Sequence, residues 1–199
     1  MFESVRIAVE PLLDQGERLL EGAAVSLVPG VPQPPHELRA PRRPSEPARK
    51  LGGPIGFLAR AAAVVNPLTA AAEGVEDRVT GALNGSLLHG EGLSGSWQSA
   101  AGRLVIRLYD DSGTASGLLA LTDRRLLMVV DQAPIWQLFA SKHVVQWSAA
   151  RTELVEFRRN AKGTRQRGRV DLVFRDGSWV GITAANPANA DLLVAAFSG

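Results

Sequence analysis

Cysteine is absent from this chain of 199 residues. That excludes disulfide staples, thiolate zinc sites and cysteine nucleophiles, and it is compatible with a reducing compartment. Histidine is scarce: His36, His89 and His143 stand far apart, with no two at the short spacings of a metal pair. No apolar run is long enough to span a bilayer. The most lipid-like window, residues 55–65, carries Arg60 and is bounded by Pro54 and Pro67. The start holds Glu3 and lacks the apolar core of a secretory signal. The G-x-S-x-G nucleophile elbow is missing too. The acidic neighbours Asp110–Asp111 and Glu76–Asp77 read as a turn and a solvated face, not as carboxylates paired around a substrate. The expectation is a non-enzymatic, cytoplasmic protein with no catalytic residues, no metal, no cofactor and no spanning helix.

What is present is an ordinary globular composition, 45% hydrophobic and 21% charged. Formal net charge is only +2, so the whole chain is no polycation. The charge is uneven, however. Residues 1–100 hold nine Lys/Arg against eleven Asp/Glu, and residues 101–199 hold thirteen against nine. An anionic partner should therefore meet the C-terminal half.

Residues 1–28 read as a short helix, with Phe2, Val5, Val9 and Leu12 near helical spacing, followed by a strand over 17–28. Residues 29–54 contain eight of the twelve prolines and read as a disordered linker, with P-x-x-P spacings suited to a polyproline ligand. Residues 55–92 read as a helical insertion whose apolar stripe is Leu68, Ala72, Val75, Val79 and Ala82. The segment 96–109 fits neither helix nor strand decisively.

Residues 117–130, GLLALTDRRLLMVV, place three charges inside the most hydrophobic run. A hairpin turning at Asp123-Arg124 resolves this. Leu121 then faces Leu126 and Leu119 faces Met128 on one side, while Ala120 faces Leu127 and Leu118 faces Val129 on the other. Both faces are apolar, so the hairpin should be covered on two sides, with the charges where the chain reaches water. A second hairpin, residues 169–183, turns at Asp176-Gly177. A two-residue turn there would set Phe174 opposite Trp179 and Val173 opposite Val180. Residues 143–149 and 152–160 supply two more strands. The chain ends in a helix with Asn186 as cap, Pro187 in the first turn, and Ala190, Leu193, Val194 and Phe197 on one face.

Thr122-Asp123-Arg124-Arg125 with its apolar continuation, the Trp147 strand, the Asp176-Gly177 hairpin and the Ala/Leu/Phe helix follow one another in this order. Together they resemble a bacterial pleckstrin-homology-like (PH-like) domain. The resemblance covers residues 93–199, with the early strand as a further part. It implies a mainly β (α+β) fold, an antiparallel barrel or sandwich capped by the C-terminal helix and carrying a helical insertion. It implies no activity; such domains bind phospholipid headgroups, peptides or other domains, and many only scaffold.

The candidate site is FRRNAKGTRQRGRV. Arg158, Arg159, Lys162, Arg165, Arg167 and Arg169 place six cations in twelve residues around a loop between strands. Guanidinium forks suit phosphate and carboxylate groups. The expected function is a binding or scaffolding module working through protein contacts, with peripheral association to an anionic membrane face, at the inner side of the membrane, through this loop. Two other classes stay open. The same arginines could bind nucleic acid. GEGLSG, residues 90–95, matches the dinucleotide pattern G-x-G-x-x-G, which would need a preceding strand and a helix N-terminus after it.

Overall fold

A computed structural model of the chain describes residues 2–39, 90–111, 116–131, 142–160 and 166–199. Among these are three α-helices: α1 (Phe2–Val9), α2 (Ala100–Asp111) and α3 (Pro187–Ser198). The strands are β1 (Leu19–Leu27), β2 (Leu93–Ser94), β3 (Ser116–Thr122), β4 (Arg125–Asp131), β5 (His143–Ala150), β6 (Leu154–Arg159), β7 (Arg169–Phe174) and β8 (Trp179–Ala184). All pairings are antiparallel, in the order β5-β4-β3-β1-β8-β7-β6, with β2 pairing β8 off this path. Two meanders, β3–β5 and β6–β8, thus flank the central strand β1. The mainly antiparallel sheet with a C-terminal helix matches the α+β expectation.

The first hairpin has the expected register: Leu121 pairs Leu126, Ala120 pairs Leu127, Leu119 pairs Met128 and Leu118 pairs Val129. Its two faces enter two different clusters. Leu119, Leu121, Leu126 and Met128 join the main core with Phe157, Phe174, Val180 and Ile182. Ala120, Leu127 and Val129 are wholly buried on the opposite face, beneath Val5 and Val9 of α1. The N-terminal helix is therefore the cover that a two-faced apolar hairpin demands.

Arg125 departs from the expectation that the three charges reach water. Its Nε and Nη2 donate to Glu17 at 2.9 and 2.8 Å, and Nη2 also meets Asp14 at 3.0 Å. Glu17 has no exposed side-chain area. Thr122 donates its hydroxyl to Glu17 at 2.7 Å and accepts the backbone N–H groups of Arg124 and Arg125. Asp123 and Arg18 exchange backbone and side-chain bonds beside it. The Thr-Asp-Arg-Arg turn thus locks the residues just before β1 to the hairpin.

The second hairpin forms one residue out of the expected register. Val173 pairs Trp179 and Leu172 pairs Val180. The loop is Arg175–Asp176–Gly177, closed by Phe174 N–H donating to the Ser178 carbonyl at 2.8 Å, with Gly177 at φ 80°. A three-residue loop with a left-handed third position needs positive φ at one residue only, whereas the two-residue turn needs it at both Asp176 and Gly177. A one-residue slip sends neighbours to opposite faces. Phe174 points inward, its ring 6.0 Å from that of Trp147 at 86°, while Trp179 lies on the other face.

Segment 96–109, undecided by sequence, is a turn followed by α2. Ala101, Leu104, Val105 and Leu108 are buried against the sheet, and Arg103 and Arg107 are exposed. A bulge in β5 at Gln146 reaches this helix, its side-chain amide donating to the Arg107 carbonyl. Helix α3 is capped as expected, with Asn186 Oδ1 accepting from Ala188 N–H at 3.0 Å. Phe197 stacks on Phe157 with centroids 4.5 Å apart, and Ala190 and Leu193 are buried.

Part of the proline-rich segment is described. Residues 29–39 are held on the domain: Pro34 is buried, and the Arg39 guanidinium lies 5.8 Å from the Tyr109 ring centre. Gly92 N–H donates to the Gly30 carbonyl at 3.2 Å, which brings the returning chain beside the departing one. The rest of the linker, residues 40–54, and the helical stripe expected over 55–88 lie outside the described residues, as do residues 132–141 with Trp136. No helix among the described residues is long and apolar enough to cross a membrane.

Candidate functional site

The basic loop joins β6 to β7, and its base is tied from several directions. Asn160 N–H donates to the Arg169 carbonyl, and Arg169 N–H donates to the Gln166 carbonyl. The Asn160 amide donates to Asp171. A buried guanidinium organises the rest. Arg169 donates to Asp171 Oδ1 at 2.8 Å, to Gln166 Oε1 at 3.0 Å and to the Glu91 carbonyl at 2.8 Å. Its side chain has no exposed area, and the Trp179 ring centre lies 5.9 Å away. Burying a charge is tolerable only when its donors are paired in this way.

The six cations singled out in the sequence therefore separate. Arg169 belongs to the interior and cannot present its fork to a surface ligand. Arg158 is exposed on β6 but makes a fork-shaped contact with Glu156, at 2.9 and 3.2 Å. The Glu156 hydrogen bond and charge hold the Arg158 proton more tightly than usual. Arg159 is engaged with Asp191 of α3 at 2.7 Å and with the Arg169 carbonyl at 2.9 Å. Arg167 is exposed at the foot of the loop. Lys162 and Arg165 lie outside the described residues.

GEGLSG meets the local requirement set for it and fails the chemical one. Helix α2 does begin after Gly95. Its first amides are occupied, however: Ala100 N–H donates to Asp176 Oδ2 at 2.8 Å, Ala101 N–H to Ser178 Oγ at 3.2 Å and Gly102 N–H to Ser99 Oγ at 3.2 Å. A pyrophosphate there would meet a carboxylate instead of free donors. Strand β2 lies inside the motif and pairs antiparallel with β8, unlike the parallel strand of a dinucleotide fold. The glycines have a packing reason: a Cβ on Gly92 would lie 2.6 Å from the Val31 backbone nitrogen.

A second charged region is assembled only by the fold. A cleft of about 360 Å³ is lined by Ala100, Arg103, Glu153, Phe174, Arg175 and Asp176. These residues come from three separate parts of the chain, so no linear cluster announces them. Burial pushes the Asp176 carboxyl up, but hydrogen bonds from Ser178 and Ala100, with the nearby Arg103 charge, leave it below the ordinary range. Among the described residues, no three histidine, aspartate or glutamate side chains gather as a metal site.

Compared with known proteins, the chain matches no family model, no curated protein and no solved structure.

Proposed function

We propose that this protein is a non-catalytic binding or scaffolding module of PH-like architecture. It acts through protein contacts, with peripheral association to an anionic membrane face through the β6–β7 loop. The architecture is supported by the central strand β1 held between two antiparallel meanders, with α3 closing one side of the core. The order of the Thr-Asp-Arg-Arg strand, the Trp147 strand, the Asp-Gly hairpin and the final helix supports the same reading.

The observation carrying the membrane contact is the division of labour at the loop. Arg169, Asp171, Asn160 and Gln166 fix its base. Arg167 stands exposed beside it, and Lys162 and Arg165 belong to the same short connection. A clamped base with three cations in the connection's sequence suits headgroup phosphates, at about 1 kcal/mol for each cation near an anionic surface. Nucleic acid is the less favoured reading. Its long charged backbone calls for many cations, and three of the six here are engaged by carboxylates of the chain itself.

Vesicle sedimentation tests the reading. The protein should pellet with phosphatidylserine-containing vesicles and not with pure phosphatidylcholine. Binding should weaken between low and physiological salt, and again in Arg165→Ala/Arg167→Ala. Equal binding to both vesicle types, or none at low salt, would remove the membrane contact from the account.

A further inference from the structure

We propose that the cleft between the first turn of α2 and the β7–β8 loop docks an acidic peptide segment of a partner protein. This deepens the binding-module reading, on which it rests, and it places the protein contact away from the basic loop. The cleft's volume of about 360 Å³ is at the small end for a ligand site and fits a side chain with its flanking backbone.

Two arginines and two carboxylates line it, so their formal charges balance, but hydrogen bonds within the fold occupy more of the acceptors than of the donors. Asp176 accepts from Ala100 N–H, Ser178 N–H and the Ser178 hydroxyl. Glu153 Oε1 accepts from Ala150 N–H. Most of the Asp176 acceptor capacity, and one Glu153 oxygen, are thus used within the fold. Arg103 donates to the Gln98 carbonyl at 3.3 Å, and Arg175 donates its Nε to the Thr152 carbonyl at 2.9 Å. Each guanidinium has five donors. Both residues are exposed.

The cleft therefore offers a surplus of planar cationic donors. The complementary group is an acceptor with two oxygens in one plane, the carboxylate of Asp or Glu. Arg107, exposed one turn after Arg103 on the same helix, extends the basic rim toward a second acidic residue. The single backbone bond on each fork partly fixes its direction, which lowers the ordering cost of binding. The amides at the start of α2 take no part, since Asp176 and Ser178 already hold them.

The test is a titration of the ¹⁵N-labelled full chain with a blocked peptide of alternating Glu and Leu, with the Gln/Leu counterpart and inorganic phosphate as comparison ligands. The Arg103 and Arg175 Nε–H resonances should shift and saturate with the Glu peptide. Arg103→Gln/Arg175→Gln should weaken that binding about tenfold or more, equivalent to about 1.4 kcal/mol. Arg103→Gln alone should weaken it to a smaller extent, and Arg165→Ala/Arg167→Ala should leave it unchanged. The proposal is overturned if the Gln peptide or phosphate binds as tightly, if the shifts gather at Arg167, or if the double Gln variant binds like the parent. Vesicle binding with no peptide binding would sink this site alone and leave the membrane contact standing.

Discussion

Glu17 is the residue at which the chemistry of this chain is most concentrated. Its carboxylate is fully buried and accepts from Arg125, Thr122 and the Asp14 backbone. The Arg125 hydrogen bond, opposed by burial and aided by Asp14 and Thr122, lowers its pKa from 4.5 to about 2. A depressed folded-state pKa stabilises the fold above the unfolded value, and that contribution is lost as pH falls through the folded value. The shift corresponds to about 3 kcal/mol, present above about pH 4.5 and gone below about pH 2. Glu17→Gln should cost about 2–4 kcal/mol at neutral pH and flatten the decline of the melting temperature across this window. Thermal unfolding followed by circular dichroism from pH 7 to pH 2 would check both. Arg169 and Arg167 make a second contrast at this scale. Arg169→Ala strands a buried carboxylate and should cost about 3–5 kcal/mol in urea unfolding, while Arg167→Ala should stay within about 0.5 kcal/mol. The sequence shows both arginines as members of one basic run. What separates them is the strand pleat, because Arg169 is the first residue of β7 and meets Asp171 two positions on, along one face.

At the scale of elements, local pattern decided most of the structure. The first hairpin is legible because the charged turn at Asp123-Arg124 sets the register and two apolar faces demand a cover on each side. Helix α1 is that cover, and its Val5 and Val9 spacing was already visible. The second hairpin was misread by one residue because Asp-Gly is compatible with a two- or a three-residue loop. Here tertiary partners favour the longer one: Asp176 caps α2 through Ala100, and Ser178 takes Ala101. Neither partner is near in sequence. The register has a measurable consequence. Phe174→Ala should cost about 3–5 kcal/mol, the loss of a core aromatic. Trp179→Ala, at a half-buried position on the other face, should cost markedly less. Equal costs in urea unfolding would contradict the observed register. Segment 96–109 was ambiguous because its helix begins on a cap, Ser99, reinforced by a turn 76 residues further along the chain.

At the scale of the whole molecule, β1 is separated in sequence from its neighbour β3 by nearly half the chain and from β8 by more than half, yet it is the central strand. The order of the later strands and the closing helix could be read from the sequence. The docking of residues 29–39 could not, since proline content predicts extended chain without saying what it lies on. The cleft at Arg103 and Arg175 was equally illegible, as its residues converge only in the folded sheet. The described residues of 2–39 and 90–199 form one folding unit, closed where Gly92 meets Gly30 and where Arg169 holds Glu91. Replacing residues 40–89 by a Gly/Ser linker of about ten residues tests it most directly, since such a linker adds little closure entropy. The variant should unfold in urea in a single transition with a stability within about 1 kcal/mol of the parent. A broad or multiphasic transition, or a variant unfolded in water, would contradict the claim.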